Sequence, residues 1–383
     1  MADVQLIVFQ VSNFGFSQVG TLNLFSSLIW RYKYQGYAQC ELWAPVTKEN
    51  ASLLVEGNVI WKGGTDAFII EIVKTVTSEN GSMTYQVKGR TLEALLTYRI
   101  VWGTYSVTMA KPVSTLMYGL VKDNCVSPTV PERLIKYTDI FKEGTNTLGD
   151  PILYQKTGGE LYDAVSDLAS DADLGFNVIF DPTNQSMMFK VFKGVSRTIY
   201  QSVVDPVVLS AELDDILSSE YYTSSQGVKN MALVAGEDSG AQRKTVETGA
   251  TMSSGFSRRE LYVDARDLQS EVTTDGSTTT LTPDQYNKVL VQRGNEKLTE
   301  FPKVFTFDAD VRVNGSTQYK FGKDYKLGDY VTVIDERLNL KVSARASEAE
   351  ESYGDEYQLS VTFGFSSPTM LDRMKQQINT GGA

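Results

Sequence analysis

Two stretches, one near each end of the chain, carry the pattern of antiparallel β-hairpins, and they limit the fold more than any other feature. Phe68 to Val76 is apolar and β-branched. The loop Ser78 to Ser82 follows with the Asn80-Gly81 turn pair, and Met83, Tyr85 and Val87 share one face of the next strand. Two such runs around a short Gly-containing loop form a hairpin. Downstream, Leu340, Val342, Ala344 and Ala346 alternate with Lys341, Ser343, Arg345 and Ser347. After the loop Ser352 to Asp355 the alternation resumes at Tyr357, Leu359, Val361, Phe363 and Phe365. A period of two turns one face of each strand into a core. The hairpins match in length, polarity and loop chemistry. This pattern predicts two small antiparallel barrel-like domains related by duplication, although no strict repeat is visible. Gly89 is expected to end the first hairpin, with a short helix over Leu92, Leu95 and Leu96 behind it.

Between the hairpins the period becomes helical. Val113, Leu116, Met117, Leu120 and Val121 form a stripe behind Pro112, a residue suited to a first helical turn. A second helix is expected near Thr157-Gly158-Gly159-Glu160, where Thr followed three residues later by Glu reads as a capping box. Its buried stripe is Leu161, Val165, Leu168 and Ala172, and it stops before Gly175. A hairpin follows, Phe176 to Phe180 and Met187 to Phe192 around Asp181 to Asn184. Asn230 to Gly236 reads as a strand, and Glu237 to Phe256, rich in Gly, Ser and Thr, as a long loop or hairpin tip. Thr282 caps a helix opening at Pro283 and ending before Pro302. Its inward stripe is Tyr286, Val289, Leu290, Gly294, Leu298 and Phe301, with Gly294 allowing a close approach. Tyr330 to Ile334 is a further strand, and Met370 to Ile378 a short terminal helix. The expected fold is α+β and β-rich. It has a first β-barrel domain at 1–103, an α/β domain at 104–210, a mixed region at 211–365 holding the 283–301 helix and the second barrel, and a tail at 366–383.

Composition narrows the chemistry. There is no histidine among 383 residues, so histidine-based triads, dyads and metal sites are excluded. No cofactor and no metal are expected. Cys40 and Cys125 are too few for a disulfide framework or a thiolate zinc site, and are expected to be buried and reduced. Lys and Arg total 36 against 47 Asp and Glu, a net charge of 36 − 47 = −11. Such a chain is a poor clamp for phosphate backbones or anionic lipid. The first basic residue is Arg31 and no apolar stretch approaches a membrane span. The chain is therefore expected to be soluble, not exported by a classical signal and not inserted in a membrane.

The motifs that could carry catalysis have simpler readings. Trp61-Lys62-Gly63-Gly64-Thr65 lacks Walker spacing and reads as a turn. Asp163, Asp167 and Asp171 lie at helical spacing away from the apolar stripe, so a solvated face is expected. Asp214-Asp215 and Asp264 with Asp267 could supply paired carboxylates for a glycosidase. Twenty tyrosines could serve a carbohydrate-binding module but are equally at home in strands. Asp335 to Glu356 carries seven acids against Arg337, Lys341 and Arg345. An acidic surface there would keep a polyanion from sticking.

The order of several segments resembles the siphophage tail-hub family. They are Arg31-Tyr32 with Gly36 and Glu41-Leu42, Ala67 to Glu71, Val87 to Leu92, Asn124-Cys125, Asp215 to Tyr222, Lys229 to Glu237, Arg258 to Arg266 and Tyr325 to Val333. They run collinearly from about Val8 to Phe365. The family is similar to the baseplate hub of contractile-tailed phages. The resemblance implies a virion structural protein at the tail tip and not an enzyme. It implies a homotrimer whose six quasi-equivalent barrels adapt a six-fold tail tube or distal tail ring to a three-fold tip. Implied partners are a distal tail protein or tail tube protein ring, a tape measure protein, and a tip fibre, spike or receptor-binding protein. DNA would pass without specific binding during ejection, and Glu348, Glu350 and Glu351 are the candidate channel-facing acids. Many relatives extend further with a hydrolase or receptor-binding module. Here the sequence ends at Ala383, so such activity is expected in another protein. The alternative, a carboxylate-based glycosidase or carbohydrate-binding module acting on the host surface, belongs to a different class.

Overall fold

A computed structural model of the chain describes residues 4–12, 15–64, 66–140, 147–210, 216–238, 243–274, 277–311, 318–336 and 340–364. The first third is β, in strands β1 (Leu6–Ser12), β2 (Gly15–Leu22), β3 (Ser27–Lys33), β4 (Gln39–Pro45), β5 (Val59–Gly63), β6 (Asp66–Thr77) and β7 (Met83–Thr91), with helix α1 (Lys48–Leu53) between β4 and β5. They pair antiparallel in the order β3-β4-β7-β6-β5-β1-β2. Inward residues Leu6, Val8, Leu28, Trp30, Leu42, Ile60, Phe68, Ile70 and Val87 meet in one core. Trp30 on β3 and Phe68 on β6 stack edge to face at 5.1 Å, although β4 and β7 separate their strands in the sheet. The sheet is therefore strongly curved around this core.

The middle of the chain holds β8 (Thr104–Ser106), β9 (Lys111–Pro112), α2 (Val113–Val121), β10 (Thr138–Ile140), β11 (Pro151–Ile152), β12 (Gln155–Thr157), α3 (Leu161–Asp171), β13 (Gly175–Asp181) and β14 (Ser186–Phe192). The apolar stripes of α2 and α3 pack on the β13–β14 hairpin. Phe9 and Phe16 enter this core from the outer face of the first sheet, 5.4 and 4.9 Å from Phe180.

The last third contains β15 (Val208–Ser210), β16 (Ile216–Ser224), β17 (Met231–Ala235), β18 (Thr245–Gly249), β19 (Glu260–Asp264), β20 (Glu271–Thr274), β21 (Ser277–Thr280), α4 (Pro283–Thr299), β22 (Val304–Val311), β23 (Tyr330–Asp335), β24 (Leu340–Tyr353) and β25 (Tyr357–Gly364). The first half of β24 pairs with β23, which runs parallel to β15. Its second half pairs with β25 on one side and β3 on the other. The β3–β24 pairing fuses both ends of the chain into one thirteen-stranded sheet with β16 and β2 at its edges. Residues 225–303 leave and rejoin this sheet where Ser224 lies opposite Val304. Within them, β18-β17-β19 form a separate sheet covered by α4. A Cβ on Gly294 would collide with Thr248 and Val234, so only glycine permits this approach.

The β-rich α+β class, both hairpins, the 283–299 helix with its Thr282 cap and the two buried free cysteines are as the sequence predicts. Other expectations need correction. Gly89 does not end its strand, for β7 runs to Thr91. A Cβ at Gly89 would strike the Ile69 carbonyl and the Phe68 ring, so glycine serves close strand packing there. The short helix expected over Leu92, Leu95 and Leu96 is present as a 3-10 helix, Leu92–Tyr98. Pro112 caps α2 from outside, and α2 runs on into a π-turn over Lys122–Val126. There is no capping box at Thr157. Gly158 and Gly159 adopt φ of 64° and 84°, Glu160 takes the cap position without a side-chain bond, and the Thr157 hydroxyl pairs with Thr104. The stretch 237–256 includes strand β18, which is held by β17. Asp214, Asp215, Arg337, Phe365 and the 370–378 helix lie outside the described residues.

Candidate assembly site at the β3–β24 seam

The seam is written in charge. Glu348 lies opposite Lys33 and Glu350 opposite Arg31 across β24 and β3. Both pairs close as ion bridges, at 3.1 Å for Lys33 with Glu348 and 2.6 Å for Arg31 with Glu350. Opposite charges directly across an antiparallel pair stabilise one register, and a one-residue slip would separate them.

The alternation that joins Glu348 and Glu350 on one face puts Glu351 on the other. There the Lys62 ammonium, from β5, forms an ion pair with Glu351. It sits over the rings of Trp30 and Tyr32, 4.9 Å from each centroid, and 5.7 Å from Tyr353. The hydroxyls of Tyr32, Tyr353 and Tyr357 donate to the Glu351 carboxylate at 2.9, 3.0 and 3.1 Å. Burial pushes this carboxyl up, but Lys62 and the tyrosine hydroxyls outweigh it and hold it below the ordinary range. The three nominated acids thus divide between two faces, and each is matched by a cation.

A second knot, missed by the sequence reading, locks three parts of the chain together. Arg345 on β24 is 8% exposed. Its guanidinium lies between the rings of Tyr34 and Tyr330, 4.4 and 4.2 Å from their centroids. It donates to the Gly328 carbonyl at 2.7 Å and pairs with Asp173 after α3. Tyr34 itself donates to the Asp173 carbonyl and accepts from the Gly194 amide. The one sequence signal was a charged residue in an otherwise small and apolar stretch, Ala344-Arg345-Ala346.

The remaining candidates have structural employment. Gly63 and Gly64 form the β5–β6 turn with positive φ. Asp264 is clasped by Arg243 and Arg266, which hold its carboxyl far below the usual range. Asp267 binds Arg293 through both oxygens, at 3.0 and 2.9 Å. Neither is a free partner for acid–base work. The Asp163–Asp171 face is only partly solvated. Asp163 is exposed, but Asp167 and Asp171 are turned towards α4, because residues 225–303 fold back onto α3. Among the described residues no cluster of acids and thiols could hold a metal ion.

The edges of the large sheet differ in character. Edge strand β16 buries only Ile216 and exposes Leu217, Tyr221 and Tyr222. Edge strand β2 exposes Val19. Open apolar edges of this kind template pairing with another strand.

The long fused sheet with open edges is the main feature of the described residues. Three solved structures share it. The 43 kDa tail protein of prophage MuSo2 from Shewanella oneidensis aligns over 94% of this chain and 98% of its own, with TM-score 0.55 and 12% identity. The tail protein from Neisseria meningitidis MC58 aligns over 94% and 96%, with TM-score 0.53 and 12% identity. The prophage tail protein gp18 from Listeria monocytogenes EGD-e aligns over 99% and 100%, with TM-score 0.53 and 10% identity. No curated protein sequence matches the chain. The fold is thus that of phage tail proteins. The chain belongs to the Siphovirus ReqiPepy6 Gp37-like protein family, whose model matches residues 8–365, and it is a structural protein of the virion tail.

Proposed function

We propose that the protein is the tail hub, a homotrimer at the distal end of the tail. It would join a six-fold tube or distal tail ring, with the tape measure protein, to a three-fold tip fibre, spike or receptor-binding protein. The supporting observation is the single sheet that runs through both ends of the chain. Strands β1–β7 and strands β15, β16 and β22–β25 each gather around their own core and, among the described residues, pair with each other at the β3–β24 seam. We read them as two barrel-like copies, so that three chains present six.

The division at 1–103, 104–210 and 211–365 is revised in this reading. The second barrel takes residues 208–224 and 304–364, and residues 225–303 are an inserted unit. A channel wall formed by the outer face of the seam would carry Glu348 and Glu350, each within an ion pair. Glu351 belongs to the other face. DNA would then slide past a nearly neutral wall, with repulsion supplied by the acidic balance of the whole chain.

Light scattering after size exclusion tests the oligomer. A mass near three times 42.5 kDa is expected, and a monomer at every concentration would overturn self-assembly. A reconstruction of the tail tip should then place this chain in a ring around the axis. A position away from the axis would remove the channel role.

A further inference from the structure

The inserted unit 225–303 touches the middle of the chain at several points, among them the Gln269 amide donating to Gln155 at 3.2 Å. Leu153, preceding β12, is buried in the core of that unit with Ala232, Val234, Leu268 and Leu290. Beside it, α4 lies against α3, and this contact is poor in compensation for the charge it buries. Glu296 on α4 is 2% exposed. Its carboxylate accepts one bond, from the Gln292 amide at 3.3 Å, and that same amide nitrogen donates to Asp171 on α3 at 2.9 Å. The Arg293 Nε forms a long ion pair with Glu296 at 3.9 Å, while the two other guanidinium nitrogens are held by both oxygens of Asp267. The Tyr154 hydroxyl is buried without a partner. Two carboxylates on facing helices, one of them buried, thus share one amide, an arrangement that disfavours ionisation of both.

We propose that the α3–α4 contact is a proton-operated clasp: with Glu296 carrying a proton the inserted unit is held on the middle of the chain, and with Glu296 ionised that contact loosens. Besides this contact the unit is held by Leu153 in its core, by the Gln269 amide donating to Gln155, and by β16 and β22, which lead into and out of it side by side. A loosened α3–α4 contact leaves these attachments and the large sheet in place.

The surrounding charges set the direction. From α3 come Asp163, Asp167 and Asp171; from β12, Lys156; from the turn after β19, Asp267; and on α4 itself, Arg293, Lys297 and Glu300. Burial pushes Glu296 up to about 7, against Arg293 and Lys156 and with help from Asp167. Burial likewise pushes Asp167 up to about 6, against Lys297 and Lys156. An acid whose folded value exceeds its unfolded one binds more protons when the contact is closed. Closure is then strongest below the ordinary carboxyl range and weakens as pH rises to about 7. The clasp does not depend on the hub reading and can fail or hold without it.

Hydrogen exchange on the full-length protein tests it, with rates corrected for the intrinsic effect of pH. Protection over α3 and α4 should fall roughly ten- to hundred-fold between acid and mildly alkaline pH, while β6 and β7 keep theirs. In Glu296→Gln, which mimics the protonated acid, the fall should shrink to the part that Asp167 contributes. No fall in the natural protein, or an equal fall in the variant, overturns the proposal. If Glu296→Gln does not fold, Asp167→Asn decides: a reduced fall supports the clasp and an unchanged one overturns it.

Discussion

Two cations, Lys62 largely covered and Arg345 buried, are held by aromatic rings, and each makes a sharp prediction. Lys62 neutralises Glu351 in a cage of Trp30, Tyr32 and Tyr353. Lys62→Met should cost roughly 3 kcal/mol in denaturant unfolding, because removing one member of a buried pair strands the other. Lys62→Met with Glu351→Gln should recover much of that loss. The same pair gives a pH dependence of opposite sign to the α3–α4 contact. The Glu351 carboxyl is held below its ordinary range, so its contribution is present at neutral pH and is lost as pH falls through the folded value. In the unfolding midpoint measured against pH, Glu351→Gln should flatten the acid limb. Arg345→Lys tests the second knot. A lysine can neither bridge Gly328 and Asp173 with one fork nor stack flat between Tyr34 and Tyr330, so about 2 kcal/mol should be lost despite the retained charge. A loss within a few tenths of that of an exposed Arg→Lys control would show that the stacking is incidental.

At the scale of elements, register at the seam is the property most open to test. Lys33→Glu should weaken the β3–β24 pairing, and the double variant with Glu348→Lys should restore it, with a coupling of roughly 0.5–1 kcal/mol in a double-mutant cycle. Additive losses would mean that the pair does not help set the register. The outcome matters because the seam is where sequence reading ran out. Period-two alternation revealed the β6–β7 and β24–β25 hairpins, since each is local and has one buried face. The Thr282-Pro283 start of α4 was legible because capping is also local. That β24 would bend at Ala346–Glu348 and pair with β3, more than three hundred residues away, has no local signature. It depends on charges that meet only once both hairpins exist. The Asp163–Asp171 face was misread for the same reason. Helical spacing shows which residues share a face, but not that a distant helix will cover it. At Gly89 the error was one of meaning, a glycine taken as a stop where it serves close strand packing.

The whole molecule poses the problem of its own edges. Fusing the two ends of the chain into one sheet still leaves β16, among the described residues, paired along one side only. In its nine residues Glu220 is the only charge and a bulge near Ile216 the one irregularity. Leu217 is 60% exposed. Soluble proteins guard such edges with lysines, prolines or short strands, and β16 has none of these guards. A ring of copies would answer this, the β16 edge of one chain meeting the β2 edge of the next. Leu217→Lys with Tyr221→Lys places two charges on that edge at exposed positions, so unfolding stability should change by no more than about 0.5 kcal/mol. If the proposed trimer closes through this edge, the mass of the variant in solution should fall to that of a monomer, and virions carrying it should lack an assembled tail end. A variant that remains trimeric with an unchanged melting profile would show that β16 faces solvent in the ring. The contact between copies would then have to lie elsewhere on the chain.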